Sequence, residues 1–301
     1  MKRKWVYLIV AIFIIGIASI YFVTQSDSSI PDPSIKSDVA EKEAALEEQV
    51  KIEPEEEKTE ENNQTEAEET EQRTLPQIVA EAVQGTVNFF KNRETNIVAI
   101  GDSLTQGVGD ETEQSGYVGI LDRTINGQKQ IAHIENLGKR GNRTDQLLMR
   151  LKDDEIASSI SDSDIVLMTI GANDIMQVVK ENFTNLVMED FVFEQDSYEE
   201  RLRKIFDEIR RLNPNTEIYL LGFYNPFKQY FDDIEELDLI VETWNTTGNN
   251  VASDYENATY IPTDDLFTDS NAELFADDNF HPNYEGYYRI AERVLEYITI
   301  R

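Results

Sequence analysis

Four short polar segments carry the side chains of this 301-residue chain that can do chemistry together. The first, Gly101-Asp102-Ser103-Leu104-Thr105-Gln106-Gly107, sets a serine between glycines in a tight turn. A serine so placed turns its hydroxyl to solvent and keeps its own N–H near a helix N-terminus, where negative charge developing on attack meets oriented donors. Such a nucleophile needs a base, and the chain holds only two imidazoles, His133 and His281. His281 lies in Asp278-Asn279-Phe280-His281-Pro282-Asn283. A carboxylate three residues earlier can reach Nδ1 and fix the tautomer, leaving Nε2 to accept the serine proton. The remaining segments run from Asn136 to Thr144 and from Gly171 to Asp174. They offer the Gly141 N–H and the Asn173 amide to complete an oxyanion hole.

Singly, each segment has a blander reading. Gly-Asp-Ser is a common turn, and Gly141 can simply occupy a positive-φ position. Asn173 and Asp174 can be an N-cap pair. Asp278 and His281 can cap a final helix with Pro282 at its first position. His133 sits inside a strand pattern and reads as structural.

The elements around the segments shift that balance. Apolar runs at Ile97 to Ile100, Ile131 to Leu137, Ile165 to Ile170, Ile218 to Leu221 and Thr259 to Ile261 read as strands buried on both faces. Amphipathic helices lie between them, clearest at Tyr198 to Leu212, and Asn283 to Ile298 closes the chain as another. Five strands alternating with helices predict an α/β fold, a doubly wound, mostly parallel sheet. Ligands of such sheets bind outside the carboxyl ends of the strands; three of the segments directly follow strands, the fourth precedes the final helix, and all four are expected at that one edge.

As a set, Gly101-Asp102-Ser103-Leu104, Gly141, Gly171-x-Asn173-Asp174 and Asp278-x-x-His281 resemble the four signature blocks of the SGNH (GDSL) hydrolases. The likeness covers about Thr95 to Arg301, and is greatest to membrane-anchored, extracytoplasmic bacterial members described as lipases or acylhydrolases. It implies a flavodoxin-like three-layer α/β/α sandwich and serine ester hydrolysis with no metal or other cofactor. It also implies Ser103 as nucleophile, His281 as base and Asp278 as its partner, with Ser103 N–H, Gly141 N–H and Asn173 Nδ2 as oxyanion donors. The substrate stays open among acyl lipids, thioesters, arylesters and acetylated sugars, so an O-acetylesterase acting on wall glycan is the alternative. Candidate walls of an acyl pocket are Phe223, Tyr224 and Phe227 after the fourth strand, Tyr117, Asp102 and Phe280 beside the site, and apolar residues of Val178 to Ser197.

Composition narrows the rivals. Without cysteine there is no disulfide, thiolate metal site or cysteine nucleophile. A metal-dependent phosphoesterase built on Asp102, Asp174, Asp278 and His281 is disfavoured by the scarcity of histidine. A non-catalytic binding module leaves the intact set of polar residues without a purpose. Lys+Arg number 27 against Asp+Glu 59, a formal charge of −32 that argues against nucleic acid as a partner.

That charge is unevenly spread. Lys2, Arg3 and Lys4 precede 19 apolar residues, Trp5 to Val23, enough at about 1.5 Å each to span a bilayer. The expectation is a membrane anchor over residues 1–23 with the N-terminus cytoplasmic and the rest outside; a cleaved signal, giving a secreted protein, is the alternative. Residues 24–73 hold 17 acids and five bases with few large apolar residues, the composition of a disordered linker. Residues 74–94 carry a helical apolar stripe and read as a lead-in helix to a hydrolase domain at 95–301.

Overall fold

Strand β1 (Thr95–Gly101) lies between β2 (Ala132–Gly138) and β3 (Ile165–Thr169), followed by β4 (Glu217–Leu221) and β5 (Ala258–Ile261). The order is β2-β1-β3-β4-β5 and every pairing is parallel. The computed structural model describes residues 95–299 apart from 128, 183, 186, 227, 229–234 and 269–272. The expected membrane span, acidic linker and lead-in helix therefore lie outside the described residues, as does Phe227. No helix among the described residues is long and apolar enough to cross a membrane.

The five expected strands form within a residue or two of their expected bounds, but burial on both faces holds for the inner strands β1, β3 and β4; the edge strands β2 and β5 are largely half-buried, and β2 carries His133, Glu135 and Asn136. Their register sets the site. Gly101 pairs with Gly138 and with Thr169, Thr169 with Leu221, and Leu221 with Ile261, so all five carboxyl ends fall in one row. Alternate residues serve opposite faces. Ile97, Ala99, Ile165, Leu167, Tyr219 and Leu221 join a core with α2 (Gly116–Asn126) and α8 (Tyr284–Thr299). In α8 the buried Tyr287, Ile290, Ala291, Val294, Leu295 and Ile298 recur at helical spacing, each large aliphatic side chain stabilising by roughly 1.5–3 kcal/mol. On the other face α6 (Met188–Leu212) and α7 (Glu235–Ser253) pack together through Tyr198 stacked on Trp244, and Leu220 of β4 lies against Gly248 of α7.

One long helix corrects the sequence reading. Val178 to Ser197 is not an insertion between elements: α5 (Ala172–Asn182) takes its first residues, α6 starts ten residues before the expected Tyr198, and Phe183 and Leu186 lie outside the described residues. Within this stretch Phe191 is buried while Phe193 is 75% exposed. The signal for the early start is the acidic first turn, Glu189 and Asp190, which complements the helix dipole.

Candidate active site

Strand β1 ends in Asp102, which caps the single turn α1 (Ser103–Gln106); its carboxylate accepts from the Leu104 N–H at 3.0 Å. Ser103 is thereby the first residue of a helical turn, and its N–H has no partner within that turn. The Ser103 Oγ lies 3.0 Å from His281 Nε2, and His281 Nδ1 lies 2.6 Å from Asp278 Oδ2. Ser103 and His281 are 178 positions apart in sequence and both are buried.

The Asp278–His281 loop is held in place from several sides. Phe275 and Pro282 form an antiparallel bridge, with the Ala276 N–H donating to the His281 carbonyl at 2.9 Å. Asn279 turns the chain at φ 53°, a left-handed conformation that asparagine tolerates. Asp278 Oδ1 accepts from the His281 and Phe280 N–H groups at 2.9 and 3.0 Å. Burial works to raise the Asp278 carboxyl, but the hydrogen bond and charge of His281 together with these two N–H donors outweigh it and hold the pKa at about 2. Neither Asp278 nor His281 caps α8; that cap is Asn283, whose Oδ1 accepts from the Gly286 N–H at 3.0 Å.

The two expected oxyanion donors follow β2 and β3: Gly141 lies in the loop to α3 (Thr144–Arg150), and Asn173 in the first turn of α5. Gly141 adopts φ +76°, and a Cβ there would meet nothing within 4 Å. Its conformation favours glycine, and the space above it is open. Asn173 Nδ2 donates to the Asn142 carbonyl at 3.1 Å, which uses one of its two N–H groups. Asp174 is inside the first turn of α5 rather than at its cap. Its carboxylate accepts from the Thr144 N–H at 3.1 Å and the Thr144 hydroxyl at 2.5 Å, and pairs with Arg201 at 3.1 Å. Burial pushes the Asp174 carboxyl up, and the Thr144 and Arg201 contacts pull it back.

Several expected substrate contacts are corrected. Tyr117 is fully buried on α2, its hydroxyl 3.2 Å from Thr105 Oγ1, so it supports the nucleophile turn from beneath. Asp102 is 2% exposed and accepts from Thr169 Oγ1 at 2.8 Å; burial pushes its pKa up to about 7 against the Thr169 and Leu104 bonds. Phe223 packs against Gly171 and edge-on to Tyr198, while Tyr224 stacks on Phe267 and donates its hydroxyl to the Phe280 carbonyl at 3.0 Å. Both rings are buried, and through these contacts they fasten loops to the core. Phe280 remains half-buried, edge-on to the His281 ring at 5.0 Å. His133 is exposed near the amino end of β2, the end of the strand away from the site.

The structure also brings in residues that no motif marked. Thr105 and Thr169 join at 2.7 Å, completing a buried hydroxyl chain from Tyr117 to Asp102. Arg150 donates to Asn142 Oδ1 at 2.6 Å and to the Leu137 carbonyl at 2.7 Å, bracing the Gly141 loop. Gly109, at φ +96°, presses on the His281 loop: a Cβ there would lie 2.6 Å from the Pro282 carbonyl and 2.8 Å from His281 Cβ. Asp102 and Asp174, which a metal-centred reading groups with Asp278 and His281, are instead committed to Thr169, Thr144 and Arg201. Among the described residues no three acidic or imidazole side chains gather to hold an ion.

Comparison with known proteins places this geometry in context. Residues 99–289 match the model of the GDSL-like lipase/acylhydrolase family. The chain is 38% identical over 206 residues to the uncharacterized protein YpmR of Bacillus subtilis (strain 168), covering 67% of this chain and 80% of that one. It is 26% identical over 204 residues to the spore germination lipase LipC of Bacillus licheniformis, covering 65% and 92%. Among solved structures it shares its fold with the lipase Lip_vut3 from a goat rumen metagenome, at TM-score 0.59 and 22% identity over 68% of this chain and 97% of that one. The acetylxylan esterase Axe2 of Geobacillus stearothermophilus is similar at TM-score 0.54 and 22% identity, over 69% and 96%. With a family match over most of the described domain, and a relative this close along four-fifths of its own length, the chain belongs to the GDSL-like lipase/acylhydrolase family and is a hydrolase of ester bonds.

Proposed function

We propose that the chain is a serine esterase working through Ser103, His281 and Asp278. The observation that carries this reading is the unbroken contact from Ser103 Oγ through His281 to Asp278, 3.0 and 2.6 Å long. Ser103 Oγ forms a bond to the ester carbonyl carbon while its proton passes to His281 Nε2; Asp278 keeps the Nδ1 proton in place and stabilises the imidazolium. The resulting oxyanion is received by the Ser103 and Gly141 N–H groups and the free N–H of Asn173 Nδ2. Collapse breaks the bond to the alcohol, which takes the proton from Nε2. Water then attacks the acyl-enzyme, gives its proton to Nε2, and releases the acid and Ser103. Support comes from Axe2, whose structures with catalytic mutations alter an aspartate and a histidine three positions apart, the spacing of Asp278 and His281.

The substrate is an acyl ester or, as a second reading, a small acetyl ester of a glycan. The second reading draws on the fold shared with the acetylxylan esterase Axe2. The site of action is outside the cytoplasm, with the protein anchored through residues 1–23; this rests on the basic tip and the 19-residue apolar run alone.

The test is turnover of a short-chain chromogenic ester and of acetylated xylan by the wild type and by Ser103→Ala. The variant is expected to fold normally and lose several orders of magnitude in kcat. Wild-type rates in Ser103→Ala would overturn the assignment. Recovery of the protein from the soluble rather than the membrane fraction of cells would overturn the anchor.

A further inference from the structure

We propose that Arg201, on α6 and outside all four motifs, is a positioning residue of the oxyanion hole that clamps the Gly141 loop to the start of α5, which carries Asn173. The inference rests on the roles given above to Ser103, Gly141 and Asn173. It starts from topology. Gly141 follows β2 and Asn173 follows β3, but β1 lies between those strands. At about 4.8 Å per strand, β2 and β3 end roughly 10 Å apart, and their ladders to β1 fix the strand ends but not the segments beyond them. An oxyanion hole needs its donors fixed relative to one another, because a displacement of about 1 Å in a catalytic constellation can cost on the order of 100-fold.

Side chains close that gap. Asn173 Nδ2 reaches the Asn142 carbonyl, and the neighbouring Asp174 takes both the N–H and the hydroxyl of Thr144. The second contact depends on a carboxylate only 1% exposed. A carboxylate that deep stays ionised only with a charge partner and a full set of donors. Arg201 supplies the charge and one donor, while Thr144 supplies the others: Nη2 pairs with Asp174 at 3.1 Å, and Nε donates to Thr144 Oγ1 at 2.6 Å. One planar guanidinium thus touches the first residue of α3, just after the Gly141 loop, and a residue in the first turn of α5, next to Asn173. Glu194, two turns earlier on α6, holds the same Nη2 at 2.5 Å and so fixes the clamp to the helix. The hydroxyl of Thr144 donates to Asp174 while accepting from Arg201, so the three groups form one polarised network. Arg150 braces the same loop from its other side through Asn142 Oδ1, and does not reach Asp174 or Asn173.

Arg201 touches neither Ser103 nor His281, and its removal leaves every proposed donor atom present. The expected consequence is specific. Arg201→Met should lower kcat on a short-chain ester by about 10- to 100-fold with KM changed less than about threefold, because the hole acts on the transition state and not on the bound ester. Arg201→Lys, which keeps the charge beside Asp174 but not the fork, should recover part of the loss. The deciding measurement is a double-mutant cycle with Asn173→Ala, with kcat counted per site labelled by a fluorophosphonate. If Arg201 acts through the hole, Arg201→Met costs less than about threefold once Asn173 is gone. Additive losses, or an unchanged kcat in the folded single variant, overturn the proposal. Should Arg201→Met not fold, Arg201→Lys and Arg201→Gln go through the same cycle with the same criteria. Failure of the underlying site reading is seen separately, as activity persisting in Ser103→Ala.

Discussion

Replacing Asp278 by Asn keeps the side chain's shape and removes its charge, which makes it a demanding test of the histidine's role. In the wild type Oδ1 accepts two backbone N–H groups at 2.9 and 3.0 Å, and Oδ2 takes the imidazole Nδ1–H at 2.6 Å. An amide has one oxygen. If it keeps the two backbone donors that hold the turn, its NH2 faces Nδ1 and selects the tautomer protonated on Nε2, which cannot accept the Ser103 proton. If it turns round, the NH2 opposes two backbone N–H groups. The size of the effect comes from losing both the charge and the tautomer. Burial alone would raise the Asp278 carboxyl; the His281 contact and the backbone donors hold it instead at about 2, so at working pH the wild type faces the forming imidazolium with a full negative charge that the amide lacks. The wrong tautomer takes the loss toward about 10⁴. The assay is kcat on a short-chain chromogenic ester at pH 8, with circular dichroism to establish folding. A folded Asp278→Asn enzyme within threefold of wild type would refute the reasoning. The same depressed pKa fixes a pH window for stability. The contribution of Asp278 is complete above about pH 4 and is lost as pH falls toward 2, so the variant's unfolding temperature should approach the wild type's in that window.

Two further outcomes follow from buried groups near the site. Asp102 is raised to about 7, so the folded protein holds a proton that the unfolded chain releases near 3.8. Wild-type stability should therefore fall as pH rises from about 4 to 7. Asp102→Asn should flatten that fall, because the Leu104 N–H and Thr169 hydroxyl both go to one oxygen, Oδ1, which an amide retains. Equal pH slopes in thermal unfolding of the two proteins would contradict this. Gly141→Ala should cost about 1–2 kcal/mol of stability from its left-handed backbone, a few degrees in Tm, since its Cβ meets no protein atom. Its kcat should fall more than tenfold, because that Cβ projects into the open space beside the proposed oxyanion donor. An activity loss no larger than the stability loss would place the oxyanion elsewhere.

The strands and three of the four loops were legible because the signal was local. A β-branched run such as Ile97 to Ile100 or Ile165 to Ile170 has one stable use, a strand covered on both faces, and a polar glycine-rich turn after it must fall at the sheet's carboxyl edge. Asp278 and His281 were legible for the same reason, since three residues in a tight turn bring carboxylate and imidazole together whatever the rest of the chain does. The start of α6 was not. Residues 188–197 alternate apolar and acidic residues with Val192 and Phe193 exposed, so the helical stripe that identifies Tyr198 to Leu212 fades there although the backbone continues.

The misassigned aromatics and the unmarked bracing residues share one cause. Aromatic residues beside a catalytic loop suit a substrate wall and a loop fastener equally well, and only the position of the loop against the core decides. Tyr224 has a hydroxyl that finds the Phe280 carbonyl and a ring that finds Phe267, so it holds the histidine loop from below. Tyr117 finds Thr105 in the same manner beneath the serine. Arg201 is harder still to read. In the sequence it belongs to Glu199-Glu200-Arg201-Leu202-Arg203-Lys204, whose neighbours Glu200 and Lys204 form an exposed pair at helical spacing, and nothing local separates it from them. Its difference comes from what lies opposite, a buried Asp174 that follows the proposed oxyanion asparagine by one residue. Parallel-sheet topology gives such a residue its use: the Gly141 loop and the start of α5 follow strands that do not pair, so side-chain contacts hold them together, and the proposed clamp adds a third element to those contacts. The motifs name the atoms that react, and the residues that hold those atoms at working distance are found only once the intervening strand is known.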